Sequence, residues 1–189
     1  MSRAHGRLTI ITGPMFSGKT TELLRLFERK VIAEVHCMLC KYKGDNRYDT
    51  TAVTSHHTLS GQRMIPARSI STISELFDET IVDYDSIFID EIQFFPDKGQ
   101  IAHLLDIGID VIVSGLNGDW KRQMFPGMDH LFAMACNINM LHAVCGFCKS
   151  DDACYSCLIS TDRGEIIIGG DDKYKAACLH CYLRYSAES

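Results

Sequence analysis

Two stretches of this 189-residue chain hold residues spaced for phosphate chemistry. Gly13-Pro14-Met15-Phe16-Ser17-Gly18-Lys19-Thr20 fits G-x-x-x-x-G-K-[ST], a loop whose main-chain N–H groups cradle a polyphosphate. Lys19 would reach the terminal phosphates, and the Thr20 hydroxyl would hold Mg²⁺. Residues 87–91, Ile-Phe-Ile-Asp-Glu, form an apolar run that ends in two carboxylates. A strand of that kind delivers Asp90 to the carboxyl edge of a sheet, where it can serve the same Mg²⁺. Alternation along the strand puts Glu91 on the opposite face, where it could take a proton from a hydroxyl attacking a γ-phosphate. Asp45-Asn46-Arg47 reads from composition as a solvated turn. The functional alternative has Arg47 neutralising phosphate charge and Asp45 assisting the metal shell.

The phosphate loop requires a strand before it and a helix after it. Residues 7–12 supply an apolar strand core at Leu8, Ile10 and Ile11. Residues 19–34 supply a helix with Leu23, Leu24, Phe27, Val31 and Ile32 on one side. Further strands are expected over 36–42, 86–92 and 110–116, with helices from Ser71 (apolar at Ile73, Leu76 and Phe77), over 98–107 and over 128–136. Residues 43–70 read as a long irregular loop. Near-continuous apolar strands suit a parallel sheet covered on both faces. The reading is α/β, with right-handed crossovers and the nucleotide at the carboxyl ends of the strands.

After about residue 141 the pattern changes to cysteine pairs, short β-like pieces and Gly169-Gly170. The expected division is a nucleotide-binding domain over 1–141 and a metal-stapled module over 142–189. Four C-x-x-C pairs occur: Cys37/Cys40, Cys145/Cys148, Cys154/Cys157 and Cys178/Cys181. The first lies in a core strand and reads as two small buried hydrophobes. Two of the other three pairs make one closed, structural zinc site, and spacing alone does not choose which two.

Composition limits the partners. An apolar content of 46% with 23% charged residues describes an ordinary globular protein. No stretch is long and apolar enough to span a bilayer, and the N-terminus has no signal-peptide core, so an intracellular, cytoplasmic location without a membrane partner is expected. A net charge of −5 with no long basic run argues against broad nucleic-acid binding. Trp120 and Phe125 lie in a polar, glycine-punctuated loop beyond a strand's carboxyl end, the place where open sheets bind ligands, and Met15 could also touch a sugar or base. One of Phe94 and Phe95 is expected to face that pocket.

Four motifs together resemble the type II, cytosolic-type, thymidine kinases: GPMFSGKTTELL at the phosphate loop, IDEIQFFPD over 89–97, SGLNGDWKRQMF over 114–125, and IIGGDDKYKAACLHCY over 167–182. The resemblance runs from about residue 6 to 182. It implies ATP-dependent phosphorylation of thymidine, and of deoxyuridine, at the 5′-hydroxyl, in salvage for DNA-precursor synthesis. The implied fold is a P-loop, RecA-like parallel sheet flanked by helices, with a small zinc-binding module carrying a lasso loop. Glu91 falls at the general base. Asp45 and Arg47 match the family's D-x-R, and Asp90 and Gln93 join the nucleotide set. Leu116, Trp120, Phe125, Tyr174 and the segment Glu165, Ile166, Ile167, Ile168 and Gly169 fall on the substrate side. Cys145, Cys148, Cys178 and Cys181 are the implied zinc ligands, and a homotetramer is the implied assembly. Two departures stand out: Trp120 sits where relatives commonly carry Phe, and Cys154/Cys157 are an extra pair inside the lasso. Two rival readings are a P-loop NTPase switch, with Glu91 activating water, and a zinc-ribbon module recognising nucleic acid.

Overall fold

The computed structural model describes residues 5–44, 52–55, 63–78, 80–160 and 171–186. In chain order the elements are β1 (Leu8–Gly13), α1 (Lys19–Ile32), β2 (Cys37–Tyr42), β3 (Ala52–Ser55), β4 (Arg63–Pro66), β5 (Arg68–Ile70), β6 (Ser86–Ile89), α2 (Ile101–Asp106), β7 (Asp110–Leu116), α3 (Met128–Met134), β8 (Asn137–Met140), β9 (Tyr155–Leu158), β10 (Tyr174–Ala177) and α4 (Leu179–Ser186). Short 3-10 turns at Ile73–Leu76, Ile81–Asp83, Ile92–Phe94 and Lys98–Gln100 join them. Six strands form one parallel sheet in the order β5-β2-β6-β7-β1-β8.

Register explains why the strands read as unbroken apolar runs. Met38 pairs with Ile87, Ile87 with Val111, and Val111 with Leu8, which makes one row across four strands. That row and the one two residues on (Cys40, Ile89, Val113, Ile10) bury against Ile73, Leu76, Ile101, Leu104, Met128 and Leu131. Leu39, Phe88, Ile112 and Ile11, each one residue off those rows, face the other way, onto Leu23, Leu24 and Val53. Each of these four strands therefore alternates between two dry faces rather than between core and water.

Apart from the end of β6, the chain departs from the sequence reading in four places. The stretch over 43–70, expected as loop, contains an antiparallel β3–β4 ribbon and the edge strand β5. These strands are three or four residues long, too short for alternation to register. The fourth turn of α1 does not bury its apolar residues: Leu23 and Leu24 are buried and Phe27 packs beside them, but Val31 and Ile32 are exposed. Phe77 is likewise exposed, because the turn at Ile73–Leu76 ends before it. Strand β8 was not expected; every residue in it is exposed, so it lacks the apolar pattern of its neighbours.

Beyond β8 a separate apolar cluster gathers Ala143, Cys145, Ala153, Cys157, Ala176, Ala177, Cys178, Cys181 and Tyr182. The β9–β10 hairpin and α4 carry it, with Phe147 stacked on Tyr185 at 4.1 Å. No helix among the described residues is long and apolar enough to cross a membrane.

Candidate active site and metal centre

The phosphate loop leaves β1 and enters α1 through Gly18, whose φ of 82° is the left-handed conformation that glycine adopts without a Cβ penalty. Phe16 takes a positive φ as well, at 64°, so a side-chain-bearing residue is held strained in the loop. Lys19 opens the helix and is buried; its ammonium donates to the Pro14 carbonyl at 2.6 Å, and Ser17 Oγ donates to the same oxygen at 2.9 Å. These bonds curl the loop around the helix N-terminus, where amides and dipole favour an anion.

The acidic pair meets that helix start. Thr20 Oγ1 donates to both Asp90 oxygens, at 3.0 and 3.2 Å, and Ser114 Oγ donates to Asp90 Oδ1. Burial, then the neighbouring Glu91 charge, raises the Asp90 carboxyl to about 6 against the pull of Ser114, Thr20 and Lys19. A carboxylate so placed is short of positive charge. Two oxygen donors, one hydroxyl and one carboxylate, suit Mg²⁺, which binds proteins through few carboxylates and keeps waters and phosphate oxygens.

Glu91 does not lie on the strand. β6 stops at Ile89, and Glu91 caps the following 3-10 turn with φ 56° and ψ 45°. The expected opposite-face placement is therefore corrected: a left-handed turn, rather than strand alternation, separates the two carboxylates. Gln93 Nε2 donates to Glu91 Oε2 at 2.5 Å.

Met15, within the phosphate loop, and Trp120 pack against Leu158 and Tyr174. Leu158 ends β9 and Tyr174 begins β10, so this apolar floor lies at that end of the hairpin. Three hydrogen bonds tie the floor to the sheet. Met15 N–H donates to Ser156 Oγ at 3.0 Å, Tyr182 Oη donates to the Trp120 carbonyl at 2.7 Å, and Asn117 Nδ2 donates to the Cys154 carbonyl at 3.0 Å.

The four sulfurs of Cys145, Cys148, Cys178 and Cys181 lie within 4.8 Å of one another, and Cys148 and Cys178 are 3.7 Å apart. A tetrahedral zinc with Zn–S near 2.3 Å sets its sulfurs about 3.8 Å apart, so the cluster fits that ion. Burial disfavours the Cys145 thiolate, but the amides of Cys148, Cys178 and Phe147 outweigh it and bring the thiol down to about 6. Burial and the surrounding thiols push Cys181 up to about 12. Four thiols with one easily ionised member are a cluster that a dication would complete.

A family model described as thymidine kinase matches residues 6–182. The chain belongs to the thymidine kinase family. It is 36% identical over 183 residues to "Thymidine kinase, cytosolic" of Gallus gallus, covering 96% of this chain and 79% of that one. It is 37% identical over 183 residues to the thymidine kinase of fowlpox virus (strain NVSL), covering 94% and 97%. It is 34% identical over 184 residues to "Thymidine kinase, cytosolic" of Homo sapiens, covering 97% and 76%.

Against the thymidine kinase expectation, the structure brings Gly13 to Thr20, Asp90, Glu91 and Gln93 to one edge of the sheet, with Leu116 at the end of the adjoining strand. Met15 of that loop also packs with Trp120 and Tyr174 in one small apolar cluster. Phe125 is not in that group; it packs against the main core. Phe95 is fully buried and edge-on to Tyr42, leaving the partly buried Phe94 as the more exposed of the pair. Asp45, Arg47, Glu165, Ile166, Ile167, Ile168 and Gly169 lie outside the described residues. Cys40 is buried as expected of a core thiol, and burial pushes it up to about 12; Cys37 is only partly buried. Four polar contacts were missed from sequence: Ser114, Asn117, Ser156 and Tyr182. Ser114 carried a signal, a hydroxyl inside the otherwise apolar DVIVSGL run. The other three depend on how the C-terminal hairpin docks, which no local pattern encodes.

Proposed function

We propose that this thymidine kinase family member transfers the γ-phosphate of ATP to the 5′-hydroxyl of thymidine, and of deoxyuridine, giving the monophosphate for DNA-precursor salvage. One observation carries the proposal. The start of the phosphate-loop helix and the acidic strand end share a hydrogen bond, Thr20 to Asp90, with Glu91 the next residue.

In this reading the amides of residues 13–20 and the Lys19 ammonium hold the triphosphate, and Arg47 adds charge from the D-x-R segment that also contains Asp45. Thr20 and Asp90 would hold Mg²⁺, which offsets charge on the β- and γ-phosphates. Glu91 orients the nucleoside hydroxyl and accepts its proton as the oxygen attacks phosphorus. Met15, Leu116, Trp120 and Tyr174 border the nucleoside, Phe125 backs that side from the main core, and the 165–169 segment belongs to the substrate side; exclusion of water there protects ATP from hydrolysis. The chemistry is mostly positioning and charge stabilisation.

The four-cysteine cluster is read as a structural zinc site that staples the lasso-bearing module, with the module boundary near residue 141. A homotetramer and a cytoplasmic location complete the proposal. The exposed edge strand β8, with Ile138 and Met140 open, supports association with further subunits. The chicken and human relatives are named cytosolic.

The test is Glu91→Ala. ATP binding stays within about threefold while turnover of thymidine falls at least about a hundredfold, as expected for loss of a positioned base. Turnover like that of the unaltered enzyme would remove Glu91 from the role.

A further inference from the structure

We infer that Gln93 is a positioning residue that aims the Glu91 carboxylate, and that Gly115 lacks a side chain so that Gln93 can sit there. The inference rests on the reading of Glu91 as the base.

Glu91 sits in a turn beyond the end of β6, in a left-handed conformation that is unfavourable for a residue with a side chain. Such a conformation persists only where the surroundings hold it. Gln93 is one neighbour that engages the Glu91 side chain. Its side chain is 5% exposed, and both ends are engaged within the protein. The Leu116 backbone N–H, which can only donate, reaches Gln93 Oε1 at 3.2 Å. That contact fixes the orientation of the amide and turns Nε2 toward Glu91 Oε2, 2.5 Å away. Leu116 is in turn the register partner of Gly13, the first residue of the phosphate loop. One relay of hydrogen bonds therefore references the base to the strand ends that bracket the phosphates.

Space for the relay is made by Gly115. A Cβ at that position would fall 2.8 Å from Gln93 Oε1 and 2.7 Å from Ile92 Cγ2, closer than real side chains pack. Residue 115 is thus bare where the amide lies against β7. This positioning role is additional to the place in the nucleotide set that the family resemblance assigned to Gln93.

The test is a double-mutant cycle with steady-state kinetics on thymidine and ATP-Mg²⁺. Gln93→Met keeps length and loses the donor. It lowers kcat about 10- to 100-fold, the scale expected when a reacting group is misplaced by about 1 Å. KM for both substrates stays within about threefold. In a Glu91→Ala background Gln93→Met has no further effect, because its partner is gone. A purely structural role would instead give losses that multiply, and that result overturns the inference, as does an unchanged kcat. Gln93→Asn, which keeps the amide but retracts it, is read in the same cycle and decides the matter if Gln93→Met unfolds below the assay temperature. If Glu91→Ala alone turns over like the unaltered enzyme, the base reading fails and this inference with it. If Glu91→Ala is impaired but the losses multiply, only the inference fails.

Discussion

Removing a single hydroxyl, Ser156→Ala, tests whether the C-terminal hairpin shapes the phosphate loop. Ser156 is 4% exposed and lies in β9 opposite Ala176 of β10, one strand step from Cys178. Its Oγ accepts the Met15 N–H at 3.0 Å, a contact that spans 141 residues of sequence. Deletion leaves that amide without its partner. An unsatisfied buried group costs about 1–3 kcal/mol, and because Met15 is only partly buried the lower part of that range, about 1–2 kcal/mol, applies. For a chain of this length that is a fall in Tm of roughly 2–8 °C. If about 1 kcal/mol of it is lost pre-organisation of the loop, KM for ATP rises about fivefold. The comparison is Ser86→Ala. Ser86 is fully buried, and its hydroxyl has no hydrogen-bond partner among the described residues, so the same chemical deletion there is neutral or stabilising. Thermal melts and ATP titrations of the two variants decide the matter. Equal behaviour of the two, or a Ser156→Ala enzyme with unaltered Tm and KM, refutes the reasoning.

Asp90→Asn trades function for stability. The Asp90 carboxyl is raised to about 6 by burial and by Glu91, so between about pH 4 and 6 the folded chain keeps a proton that the unfolded chain has lost. Stability falls as pH rises through that window, and the full penalty of the buried charge is present above it. Without Mg²⁺ or nucleotide, the variant should gain on the order of 2–3 kcal/mol at pH 7.5 and lose that advantage toward pH 4, while turnover drops at least about a hundredfold. Melts of both proteins across that range check the sign; a gain that does not change with pH contradicts it. Cys181→Ser should abolish the zinc found by metal analysis and lower Tm by at least about 10 °C, since structural zinc binding contributes directly to folding. It should also raise KM for thymidine, because Tyr182, the next residue, anchors the Trp120 backbone. Full metal content in that variant would sink the assignment.

The sheet, and the meeting of the glycine loop with the acidic strand end, were legible because their signals are local. A glycine loop between an apolar strand and a helix, and an apolar run ending in Asp90-Glu91, each state their chemistry within ten residues. The cysteine cluster was legible as pairs from spacing, and the choice of pairs came from the family resemblance. Spacing admitted Cys154 and Cys157 equally, and it is the fold that leaves Cys157 buried on β9 beside the cluster, with Cys154 donating to the Asp152 carbonyl. The aromatic floor was half legible: Trp120 and Phe125 share a loop, yet one turns to Leu158 and Tyr174 while the other joins the main core. Edge strands β5 and β8 escaped because three or four residues cannot display a period, and β8 has no buried face to display. Glu91 was misplaced by the assumption that its strand continued, when the backbone breaks into a left-handed turn at that residue.

The most direct measurement is product analysis of the purified chain with ATP-Mg²⁺ and a panel of nucleosides and deoxynucleosides. The account predicts thymidine 5′-monophosphate formed one-for-one with ADP, and little ATP hydrolysis when no nucleoside is present. Rapid nucleoside-independent hydrolysis, or ADP release without any monophosphate, would contradict it.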